Sequence, residues 1–136
     1  MSYAMSGALQ AAVYSALVAD ATLAGLVGTA IYDAVPSGTL PDVYVRLGSE
    51  TVKDASDGSG AGALHQFTVS VITSNPGFAG AKDVAAAISD VLHNGDLTLS
   101  RGRLVSLAFE RATASRIDTA SARQIDLRFR ARVQDD

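Results

Sequence analysis

Apolar residues recur with a helical period across residues 6–19, SGALQAAVYSALVA, where Leu9, Val13, Ala16 and Leu17 fall at i, i+4, i+7 and i+8 and make one stripe. Ser6 stands where an N-cap would. Asp20 and Gly25 interrupt the pattern around a short helical turn through LAGLV, and Ile31-Tyr32 reads as a short strand ended by Pro36. SGTLP makes a turn, and VYVRLG, residues 43–48, a strand. The period changes to two in residues 65–73, where Phe67, Val69 and Val71 share one face and Gln66, Thr68 and Ser70 the other. SNPG at 74–77 closes this strand and opens a helix over 78–93, with Ala81, Val84, Ala85, Ile88, Val91 and Leu92 on one stripe and Asn94-Gly95 as its stop. Leu104, Val105, Leu107 and Phe109 suggest a further strand.

The alternation is cleanest in QIDLRFRARVQ, residues 124–134: Ile125, Leu127, Phe129, Ala131 and Val133 point one way, and Asp126, Arg128, Arg130 and Arg132 the other. Such a strand sets one face on a core and leaves a basic face outside it. Between VYVRL and HQFTVSVIT lies a run of Gly, Ser, Asp and Ala with little to bury, which predicts a long flexible loop over 48–64. Connections of that length are uncommon in compact domains and are usually functional when ordered. The element order predicts an α+β fold: one domain over 1–136, an antiparallel or mixed β-sheet, and two main helices packed on one face.

Composition narrows the classes. The 136 residues are 48% apolar, enough for a single core. The lack of Cys excludes a disulfide framework, a thiolate metal site and a Cys nucleophile. No apolar run reaches the roughly 18 residues of a membrane helix, and MSYAMSGALQ lacks a basic flank ahead of an apolar core. A soluble protein made in the bacterial cytoplasm, with no membrane partner, is the expectation. Charge is uneven: residues 1–100 set three basic side chains (Arg46, Lys53, Lys82) against nine acidic ones, and residues 101–136 set eight Arg against five acidic ones. The asymmetry suggests two faces with different partners, although scatter over a solvated surface gives the same totals.

Candidate chemistry is sparse. His65 begins a strand and His93 ends a helix, and neither stands in a Ser/His/Asp or two-His pattern, so structural roles are expected for both. GSGAG at 58–62 opens a strand instead of a helix, which does not suit a phosphate loop. DASDGSG begins like a calcium loop but has Ser at the sixth position and His at the twelfth. No enzyme activity, metal or cofactor is expected. Arg128, Arg130 and Arg132 could contact phosphates, or they could pair with carboxylates across a subunit or partner interface. The acidic total and the absence of stacking aromatics on that face favour the interface.

In order along the chain, an N-terminal helix, LAGLVGTAIYDAVP, LPDVYVRLGSE, a Gly/Ser/Asp loop, HQFTVSVITSNPGFAGAKDVAAAISDVL and IDLRFRARV resemble the small tail-completion family of long-tailed phages and phage-like gene transfer agents, whose members act as tail terminators. A Trp often found near the end of that family's His-led strand is absent here. The resemblance implies a catalytically silent virion protein at the head–tail junction. It would form a ring, typically of six subunits, on the head-proximal end of the finished tail tube. The ring stops tube polymerisation and offers a surface to the head or neck, and DNA passes through its channel without specific binding. The implied partners are further copies of the chain, the major tail tube protein and a head stopper or connector. The 48–64 loop, with Glu50, Lys53, Asp54 and Asp57, becomes a candidate docking or channel element. A head-completion stopper of the same kind of particle is the alternative, followed by a nucleic-acid-binding protein that uses the Arg strand.

Overall fold

The computed structural model describes residues 3–56, 61–117 and 122–135. Two helices lead the chain, α1 (Ser6–Ala19) and α2 (Ala21–Val27), followed by β1 (Ile31–Tyr32), β2 (Val43–Asp54), β3 (Ala61–Thr73), α3 (Ala79–Leu92), β4 (Arg103–Arg116) and β5 (Arg123–Asp135). The sheet order is β1-β2-β3-β5-β4. β1 runs parallel to β2, and every other pairing is antiparallel, so the sheet is mixed. The fold is the expected α+β domain, with a third, short helix.

Each helix forms for a local reason. Leu9, Val13 and Leu17 bury the inner stripe of α1. Ser6 lies inside this helix instead of capping it: Met5 is the N-cap, and the Ser6 hydroxyl points elsewhere. At Asp20 the backbone turns extended and bends the path by 77°, and its carboxylate accepts the Leu23 N–H at 3.0 Å to cap α2. α3 buries Ala81, Val84, Ala85, Ala87, Ile88 and Leu92. It stops where Asn94 takes φ 58°, a left-handed conformation that Asn tolerates, and the Asn94 N–H then donates to Leu107 O at 2.8 Å in β4.

The inner face of the sheet meets these helices. Val45, Val69, Val71, Leu107, Ile125, Leu127, Phe129, Ala131 and Val133 are buried there with the helical stripes. Phe129 sits at the centre, stacked on Phe67 with centroids 5.7 Å apart and met edge-on by Phe109 at 5.9 Å. Fully burying such a ring is worth about 1.5–3 kcal/mol by transfer alone.

The segment expected as a loop over 48–64 is instead the outer half of a long hairpin. β2 continues to Asp54 and β3 starts at Ala61, so strand covers 48–54 and 61–64, and residues 57–60 lie outside the described ones. Two effects hid it. The register shifts between Leu47 and Glu50, a β-bulge that turns the side-chain alternation over, so Leu47 and Glu50 both face inward three positions apart. The far arm is also supported by β5, where Ala61–Leu64 pair with Arg132–Asp135, and backbone pairing needs no apolar periodicity. Gly48 suits the bulge because a Cβ there would lie 3.2 Å from Thr68 O.

Candidate interaction surface

Strand register decides which side chains share the uncovered face. From β5 it receives Asp126, Arg128, Arg130 and Arg132, and opposite them from β3 come Ser70, Thr68, Gln66 and Leu64. β2 adds Arg46 beside Ser70 and Lys53 beside Leu64. β4 adds Arg103, Arg111 and Thr113, paired with Gln134, Arg128 and Asp126. Among the described residues seven cations therefore line this face against two acidic side chains, Glu110 and Asp126. The alternation of β5 pointed to three of the seven. Arg46, Lys53, Arg103 and Arg111 join only through the register, which no local motif encodes.

Both acids are held by neighbours on the face. Glu110 meets Arg128 Nε at 3.3 Å and receives the Gln66 amide at 3.2 Å, while the Arg128 Nη2 donates to Gln66 Oε1 at 3.2 Å. Asp126 accepts the Ser70 hydroxyl at 2.6 Å and the Gln124 amide at 2.7 Å. Arg132 reaches the Ala55 carbonyl at 3.4 Å. Among the described residues Arg46, Arg111 and Arg130 have no hydrogen-bond or ion-pair partner. A shallow depression of ≈ 410 Å³ lies beside Arg46, lined by Gly48, Ser49, Thr68, Ser70, Gln124 and Asp126.

The expected docking residues of the hairpin separate. Lys53 and Asp54 are exposed on its outer half, with Asp54 accepting the Ser56 hydroxyl at 2.7 Å. Asp57 lies outside the described residues. Glu50 turns inward: one carboxylate oxygen accepts the Ser6 hydroxyl at 2.7 Å, and the other lies 2.9 Å from His65 Nδ1. Its carboxylate is engaged by Ser6 and His65, whereas Lys53 and Asp54 lie on the exposed arm. The bulge before it is the physical cause, because without that extra residue Glu50 would face out.

The Ser6–Glu50–His65 trio groups catalytic residue types that lie 44 and 15 residues apart in the sequence. Its order differs from that of a Ser–His–acid triad. In such a triad the imidazole touches the hydroxyl, and here the carboxylate stands between hydroxyl and imidazole. His65 is fully buried, and its Nε2 has no hydrogen-bond partner among the described residues. The adjoining cavity, between Leu9, Val13, Glu50 and Phe67, measures ≈ 30 Å³, room for little more than water. His93 is structural too, its Nδ1 accepting the Phe109 N–H at 3.0 Å. Among the described residues no three His, Asp or Glu side chains group as metal ligands would.

The helix layer contrasts with the open face. α1 and α2 carry no charged residue, and the carboxylates on this side, Asp83, Asp90 and Asp96, are exposed. A cleft of ≈ 130 Å³ between α2 and α3 is lined by Asp20, Thr22, Ala87, Asp90 and Val91.

Residues 11–134 match the model of a family described as tail completion protein gp17. A solved structure of the virion of a native gene transfer agent (GTA) particle contains a chain 64% identical to this one. The match covers 97% of this chain and 98% of that one, with a TM-score of 0.93. No curated protein matches the chain.

Proposed function

The chain belongs to the tail completion protein gp17 family, and we propose that it is the tail terminator of a gene-transfer-agent-like particle. It is a structural protein of the virion tail. In this reading copies of the chain close into a ring, six in number as the resemblance suggests, on the head-proximal end of the tail tube. The ring ends tube growth and presents its other side to a head stopper or connector, while DNA moves through the channel without specific binding.

The observation that carries the reading is the 64% identity over nearly the whole chain to a component of a gene transfer agent virion, joined to the tail-completion family match. The geometry supports it. A ring that closes by rotation needs two different, complementary surfaces on each subunit. This chain folds with one sheet face only and leaves a wide, cationic second face for partners. Arg128, Arg130 and Arg132 serve in subunit or partner contacts. Lys53 and Asp54 on the outer half of the hairpin serve in docking to the tube or near the channel, and Asp57, which lies outside the described residues, belongs to the same expected set. A channel that lets DNA slide is lined by neutral or acidic groups, which places the Arg face away from it.

Tube polymerisation in vitro tests this. Purified protein added to growing tail tubes should block elongation at one end and shorten the length distribution. Tubes that grow to the same lengths at saturating protein would sink the terminator reading.

A further inference from the structure

The two sides of this chain carry opposite, unsatisfied charge. On the sheet side, Arg111 and Arg130 stand exposed and without partners among the described residues, one strand apart. On the helix side, Asp83 and Asp90 lie on one exposed stripe of α3, seven residues or about 10 Å apart, and have no partner among the described residues either. Lys82, the one cation of α3, leans over the Phe78 ring, 6.0 Å from its centroid. Asp90 also faces Asp20 across the α2–α3 cleft. One Asp20 oxygen caps α2, so the cleft can offer a guanidinium the other one together with Asp90.

We propose that the open sheet face of one copy docks on the α2–α3 face of the next, with Arg111 and Arg130 meeting Asp83 and Asp90 and a guanidinium seated between Asp20 and Asp90. The idea rests on the ring reading and names the surfaces that build the ring. Because the two surfaces lie on opposite sides of a two-layer domain, the contact is head-to-tail and propagates until rotation closes it. The face is large enough: four strands of about 13 residues, at about 4.8 Å spacing and 3.3 Å rise, span about 800 Å², the share one partner gives to a standard interface. A second copy suits the face better than duplex DNA does. Glu110 and Asp126 are fixed among the arginines, a mixed pattern that a protein surface can match and a phosphate backbone repels, and the chain as a whole carries −3.

Two charge reversals test the pairing in a producing strain that lacks the gene. One variant is Arg111→Glu with Arg130→Glu, the other Asp83→Arg with Asp90→Arg, and all four positions are exposed. Each variant alone sets like charges face to face, and the yield of joined particles should fall about tenfold or more. Expressed together, the two should restore it, because in an alternating ring every contact again joins opposite signs. Wild-type yield from either variant alone overturns the pairing, as does failed restoration by two proteins that melt like wild type. Salt-sensitive DNA binding lost only in the Arg variant, beside normal assembly of the Asp variant, gives the face to nucleic acid and overturns it too. Tail length in the deletion strain reads the terminator function separately, so each idea can fail without the other.

Discussion

The two faces of this sheet are made of the same strands and do opposite work. On the inner face Val69, Val71, Leu127, Phe129 and Val133 are buried under three helices. One residue along from each, on the outer face, stand Thr68, Ser70, Arg128, Arg130 and Arg132, with no element over them among the described residues. The inner face obeys packing, where volume and shape decide. The outer face obeys charge, and its side chains contribute little to the monomer. A small domain that must both fold and assemble can separate the two demands by the period-two alternation of its strands alone.

Substitutions on the two faces should therefore differ in kind. Phe129→Asp, at the centre of the aromatic trio, should leave no folded monomer, and Phe129→Ala should cost about 3–5 kcal/mol by thermal or denaturant unfolding. A folded Phe129→Asp protein would break the comparison at once. Next comes the polar exception on the inner face. Glu50→Ala leaves the buried His65 ring and the Ser6 hydroxyl without their acceptor, and should cost about 1–3 kcal/mol. Gly102→Ala follows: φ is +65° and an added Cβ would meet Gln134 O and Met5, so a loss of about 1 kcal/mol or more is expected. On the outer face Arg130→Ala should stay within about 0.5 kcal/mol of wild type while reducing particle assembly. The smallest effect is a pH dependence at the strand end. The Arg101 hydrogen bond holds the Asp135 carboxyl below its usual range. A lowered folded-state value stabilises above the unfolded pKa, and that contribution disappears as pH falls through the folded one. Arg101→Ala should flatten this acid limb of the stability curve through a small loss at neutral pH, with stability at low pH, where Asp135 is protonated in both states, nearly unchanged.

Sequence patterning disclosed the inner face well and the outer face poorly. The stripes of α1 and α3 and the alternation of β5 are local, so one segment read by itself was enough. The hairpin arms were not legible, because the bulge at Gly48-Ser49 breaks the period and Gly-rich, polar residues carry no burial signal. The same bulge turned Glu50 inward, so a residue expected to meet partners instead meets Ser6 and His65. The cationic face was legible only in part. Arg128, Arg130 and Arg132 share a strand, but Arg46 and Arg111 reach the face only through pairing with other strands, Arg46 with Ser70 and Arg111 with Arg128.

Electron microscopy of particles from a producing strain that lacks this gene tests the terminator function most directly. The account predicts abnormally long, headless tails beside tailless heads. Tails of normal length would contradict it, and DNA-filled heads that leak without a tail defect would assign the protein to the stopper position instead.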